Sequence, residues 1–151
     1  FTSAQGRTRV GYKLSELVSA LEEYLGCNEK KNTVIIGAGE VGQALLAYGG
    51  FKNYGIEIVA AFDSDEKKIN TVVSQKPVKD IAELKQGVDE YGVKLAVICV
   101  PAAVAQEVAD LLVNCGVKKI LNFAPVLLQV PEGFTVRNID VAANLAILWS
   151  T

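Results

Sequence analysis

The 151-residue sequence contains no histidine. That absence removes the commonest general base and a frequent metal ligand from consideration. It contains no methionine either, not even at position 1, so the chain is expected to begin part-way through a longer protein. The three cysteines, Cys27, Cys99 and Cys115, form no CxxC pair and no metal-ligand spacing, and no metal site is expected. Cys99 lies in the apolar run VICV, where a small buried side chain is the expected role. A scattered, odd set of cysteines suits a reducing cytoplasm. No apolar run reaches the roughly 18–20 residues needed to span a bilayer, and no signal peptide is evident. A formal net charge of −2 leaves no strongly basic surface of the kind a self-sufficient nucleic-acid binder shows.

What is present is one domain's worth of apolar-rich sequence, 50% hydrophobic and 21% charged, enough to bury a core. Apolar runs rich in β-branched residues alternate with helical periodicity. The stripe Leu14, Leu17, Val18, Leu21 and Leu25 predicts a helix over 13–25, stopped at Gly26. NTVIIG (32–37) reads as a strand, 40–48 as a helix, and IEIVAAF (56–62) as a second strand. A charged turn with a short helix is expected next, then a short strand around Pro77 and Val78, then a helix capped by Asp80 and running towards Tyr91. KLAVICV (94–100) predicts a strand and 102–115 an amphipathic helix with Val104, Val108, Leu111, Leu112 and Cys115 on its face. Strands at 118–123 and 134–139 and a final helix at 140–150 complete the series. Continuous apolar strands separated by helices imply a parallel sheet buried on both faces, the doubly wound α/β architecture of nucleotide-binding domains. Residues 1–11 lack an apolar period and read as a linker from something upstream.

The first strand runs directly into Gly37-Ala38-Gly39-Glu40-Val41-Gly42, a G-x-G-x-x-G loop opening a helix. In that context the loop is a diphosphate cradle. Gly37 permits the tight turn, Gly39 lets the backbone approach the phosphates, and Gly42 lets the helix pack closely on the sheet. The helix N-terminus supplies free N–H groups and a positive dipole end. Asp63, followed by Ser64, ends the second strand about 20 residues beyond Gly42, where a carboxylate accepts both ribose hydroxyls of an adenosine and repels a 2′-phosphate. NAD(H) is therefore favoured over NADP(H). Val100, Pro101 and Ala102, and likewise Asn122, Phe123 and Ala124, end two further strands. There Pro101 and Ala102 would wall the ribose or nicotinamide, while Asn122 and the backbone around Ala124 would hydrogen-bond a carboxamide. A dehydrogenase needs a substrate site and proton-transfer groups beside the nicotinamide. The chain has no second domain to supply a substrate site, and Tyr91 and Lys94 flank a glycine at a helix end.

RVGYKLSEL (9–17), GAGEVGQALL (37–46), IVAAFDSD (58–65), VPAAVAQEVADLL (100–112), ILNFAPV (120–126) and VPEGFTVRNIDVA (130–142) together resemble the Rex family of redox-sensing transcriptional repressors. The resemblance runs from about residue 6 to the end, and its later motifs are more specific than the glycine loop. It implies a non-enzymatic Rossmann-like sensor of the NADH/NAD+ ratio over 12–138 and a C-terminal helix over 139–151 exchanged with the partner of a cytoplasmic homodimer. It further implies operator DNA bound through an N-terminal winged-helix domain that this sequence lacks. It also implies that Tyr12 and Asp140, the latter from the partner chain, approach each other near the nicotinamide as a redox switch. The sequence departs from the family in FTSAQGRT, where the usual glycine spacing is missing, so no role passes to Arg7 or Arg9. Two other readings remain open: a CoA-binding domain of an acyl-CoA ligase, and the cofactor domain of an NAD-dependent dehydrogenase.

Overall fold

Strand β1 (Lys31–Ile36) sits at the middle of the sheet because it is apolar on both sides, with Val34, Ile35 and Ile36 at 1% exposure or less. The computed structural model describes residues 14, 16–18, 20 and 30–151. Tyr12, Arg7, Arg9 and Cys27 lie outside the described residues, as does most of the expected helix over 13–25; the described positions 14, 16–18 and 20 are helical.

After β1 come helix α1 (Glu40–Ala47), a 3-10 turn (Gly50–Tyr54) and β2 (Ile56–Asp63). A short hairpin follows, β3 (Val72–Val73) with β4 (Lys76–Asp80), then a 3-10 turn at Ile81–Glu83 and helix α2 (Leu84–Tyr91). Strand β5 (Leu95–Ile98), helix α3 (Ala102–Asn114), strands β6 (Lys119–Asn122) and β7 (Thr135–Asn138) and helix α4 (Val141–Trp149) complete the chain. The seven strands lie in the order β3-β4-β2-β1-β5-β6-β7, all parallel except the β3–β4 pair. This is the doubly wound arrangement, with its strand order reversing beside β1.

Period-two alternation divides the core between the two faces of the sheet. Val34, Ile36, Phe62, Ala96 and Ile98 pack with Leu84 and Val88 of α2 and with Ala105, Val108, Ala109 and Leu112 of α3. Ile35, Ala61 and Val97 belong to the opposite cluster, with Leu46 of α1. The β1–β2 register slips between Thr33 and Val34, a bulge that leaves Val59 and Ala60 in the same cluster.

Two local expectations change. The segment after Asp63 forms consecutive turns over 66–70 instead of a short helix. The Asp65 carbonyl accepts from the N–H groups of Lys68 and Ile69, and Asn70 then turns left-handed at φ 70°. The expected short strand is one arm of a hairpin whose two-residue turn, Ser74-Gln75, has φ of 51° and 69°. Positive φ at both positions marks a type I′ turn, which asparagine and glycine fit far better than serine and glutamine. Gln75→Gly is expected to raise unfolding free energy by about 0.5–1 kcal/mol, read as a higher denaturation midpoint at unchanged slope.

Candidate dinucleotide site

The carboxyl ends of β1, β2, β5 and β6 open onto a cleft of about 1020 Å³, at the position where open α/β sheets bind ligands. Its floor is the glycine loop. Gly37 holds φ +105° and donates its N–H to the Phe62 carbonyl at 2.8 Å, so the turn is stitched to the end of β2. A β-carbon on Gly37 would sit 2.6 Å from the Cys99 carbonyl oxygen. Gly42 lies inside α1 against the Gly37 carbonyl, with no room for a side chain. Gly39 is the opposite case: nothing lies within 4 Å of the space a β-carbon would fill. That open space lies at the N-terminus of α1, where the first N–H groups have no intrahelical partner.

Asp63 ends β2 at the cleft wall. One carboxylate oxygen accepts from the Ala38 N–H at 2.7 Å and the other from the Asp65 N–H at 2.8 Å. The side chain thus fastens the glycine loop to the end of β2. Each oxygen keeps a second lone pair for a ligand hydroxyl. Beyond it, Asp65 pairs with Lys68 at 3.8 Å, both half-exposed, an ion pair worth little in itself. Glu40 also borders the cleft, at the first turn of α1. It complements the helix dipole when the cleft is empty and opposes any anion brought there.

Of the expected site residues, Gly37, Gly39, Glu40, Val41, Asp63, Ser64, Val100, Pro101, Phe123 and Ala124 border the cleft. Ala38 contributes its N–H to Asp63 and Gly42 its closeness to the loop, while Ala102 starts α3. Asn122 requires a correction. Its side chain is 0% exposed. Its amide donates to the carbonyls of Ala124 and Val126 and to Asn138, and its oxygen accepts from the Ala124 N–H. With its donors spent inside the fold, it shapes the loop carrying Phe123 and Ala124 and has none left for a carboxamide.

Val104 and Leu111 of α3 belong to the apolar face expected of this helix. They are 39% and 43% exposed and border the cleft, while the buried stripe is Ala105, Val108, Ala109 and Leu112. Helix α3 carries one more apolar column than its packing needs, which is the signal a sequence offers for such residues. Ile81 and Lys68 complete this wall. Burial pushes the Cys99 thiol up to about 12, and burial likewise raises Cys115, so both are protonated and sluggish as nucleophiles near neutral pH. Tyr48 and Lys52 stand at Y-x-x-x-K spacing, that of a proton-relay pair. Tyr48 is the C-cap of α1, edge-on to Phe51 at 4.9 Å, and neither residue borders the cleft. Among the described residues no cluster of three or more potential metal ligands occurs, and no helix is long and apolar enough to cross a membrane.

A family model described as a CoA binding domain matches residues 28–126. The redox-sensing transcriptional repressor Rex of Chloroflexus aggregans is 46% identical over 140 residues, covering 93% of this chain and 66% of the relative. The protein of the same name from Carboxydothermus hydrogenoformans is 45% identical over 143 residues, covering 95% and 69%. The chain belongs to the Rex family. It spans about two thirds of the length of these curated relatives, which are named as transcriptional repressors and not as enzymes. Among solved structures, the Rex-family repressor RSP in complex with beta-NADH superimposes with a TM-score of 0.80 at 30% identity, over 90% of this chain and 66% of RSP. RSP in complex with beta-NAD+ and operator DNA gives 0.81 at the same identity, over 90% and 63%.

Proposed function

We propose that this Rex-family chain is the NAD(H)-sensing domain of a transcriptional repressor. The observation that carries the reading is Asp63, held by the Ala38 N–H at the end of β2 with lone pairs free towards the cleft. Complexes of RSP with beta-NADH and with beta-NAD+ and operator DNA support it. In this reading the diphosphate lies over Gly39 and the α1 N-terminus. The adenosine ribose meets Asp63, and the nicotinamide half reaches Pro101, Phe123 and Ala124. Residues 1–11 link to an N-terminal DNA-binding domain, 12–138 hold the dinucleotide, and 139–151 reach a second copy in a cytoplasmic homodimer. Asp140 caps α4 by accepting from the Ala143 N–H at 2.9 Å. Presented by the partner chain, its carboxylate would pair with the charged ring of NAD+ and with the Tyr12 hydroxyl, and lose the attraction of the ring with NADH.

Titration with NADH, NAD+, NADPH and CoA tests the reading. NADH should bind well and NADPH poorly. Equal affinity for NADPH, or a preference for CoA, would overturn it, since a CoA 3′-phosphate gains nothing from Asp63. Asp63→Ala should weaken NADH binding by about 1–3 kcal/mol and narrow the gap to NADPH, because charge-assisted hydrogen bonds are lost. Melting should shift as well, since the Ala38 N–H loses its acceptor.

A further inference from the structure

Between β6 and β7 the chain runs through 123–134 without regular secondary structure. Connections of about a dozen such residues are uncommon in compact domains and usually functional. The near end of this one is rigid. Asn122 fixes Ala124 and Val126, and the Val126 N–H donates to the Ala124 carbonyl at 2.8 Å, an inverse γ-turn centred on Pro125 whose fixed φ suits it. The far limb is caught by one side chain from another element. Gln106 of α3 accepts from the Gln129 N–H at 2.9 Å and donates to the Gln129 carbonyl at 2.9 Å. Its amide is itself oriented by Asp110, 2.9 Å away. The pairing copies one rung of a β-ladder between residues 23 positions apart.

The two elements joined by this rung are two walls of the cleft. Pro101 and Val104 lie at the start of α3, while Phe123, Ala124 and Pro125 open the loop, and all five border the cleft. The strands these segments follow, β5 and β6, lie on the far side of β1 from β2 and Asp63. We propose that Gln106 is a positioning residue for the nicotinamide half of the site. By pinning Gln129 to α3, it ties the far limb of a loop whose near end Asn122 already shapes, and so keeps Phe123, Ala124 and Pro125 set against α3 before the ligand arrives. Preorganisation of this kind lowers the ordering cost of binding. The proposal rests on the dinucleotide reading of the cleft. It adds a residue that touches no ligand and acts only at one end of it.

The test compares NADH with ADP, which lacks the nicotinamide half, on wild type and Gln106→Met. That substitution keeps side-chain volume and removes both hydrogen bonds. NADH affinity should fall about 5-fold while ADP changes less than 2-fold, and exchange of the Gln129 amide should accelerate about 10-fold. Equal losses for NADH and ADP would show a merely structural role, and unchanged NADH affinity despite faster exchange at Gln129 would show that the clamp does not serve the site. Either result overturns the proposal. A wild-type chain that binds neither NADH nor ADP would instead remove the reading of the cleft, and the proposal with it.

Discussion

Gly42→Ala is expected to cost about 2–4 kcal/mol of stability, whereas Gly39→Ala should change it by less than about 0.5 kcal/mol and yet weaken NADH binding at least about tenfold. The two glycines belong to one motif and are three residues apart, so the contrast is a sharp one. A methyl on Gly42 would be driven into the Gly37 carbonyl. Neither partner is the end of a flexible side chain, so α1 must lift from β1 or the loop must open. Leu46, which α1 buries at 1% exposure, would be displaced with it. At Gly39 the backbone has φ −81° and ψ −156°, which any residue adopts, and a methyl points into open space. That space is where the diphosphate has to approach the α1 N–H groups. Thermal melts with and without NADH separate the two effects. If Gly39→Ala binds NADH as wild type does, the diphosphate does not lie over the loop.

The glycine loop was legible in the sequence because everything that defines it is local: a strand, a turn, a helix start, and an acidic residue after the next strand. The parallel order was legible for a similar reason, since continuous apolar strands must be covered on both faces. Asn122 was misread because a polar residue ending a strand has the same sequence signature whether it serves a ligand or the fold. What decides is whether its donors are already used, and one of its partners, Asn138, arrives 16 residues later on β7. Val104 and Leu111 share one apolar face with Val108 and Leu112 in the sequence, because period alone cannot distinguish a column packed on the sheet from one facing a cleft. The β3–β4 hairpin escaped notice because Ser74-Gln75 carries no glycine to announce its turn. Gln106 gave no signal at all, since its importance lies in one hydrogen-bonded rung to a distant backbone.

Replacing Leu145 and Leu148 together by glutamate should convert a dimer into a monomer. Helix α4 has no buried residue in the single chain, with Val141 58%, Leu145 61%, Ile147 67%, Leu148 70% and Trp149 91% exposed. A nine-residue helix is below the roughly 12–15 residues at which isolated helices become even marginal in water. Its N-cap at Asp140 adds only about 1 kcal/mol. A second copy offering the same helix in return would cover both at once. Burying these side chains at roughly 1.5–3 kcal/mol each gives roughly 15–30 kcal/mol for two helices. As an upper bound this matches or exceeds an association cost of roughly 4–15 kcal/mol, so a dimer is expected at micromolar concentration. Two buried, unpaired glutamates on each helix remove two of its anchors, and each adds several kcal/mol of desolvation. Light scattering should report the change in mass, and circular dichroism a loss of helix from the released segment. A wild-type chain that is monomeric at micromolar concentration would overturn the dimer, and a doubly substituted chain that stays dimeric would place its interface somewhere other than α4.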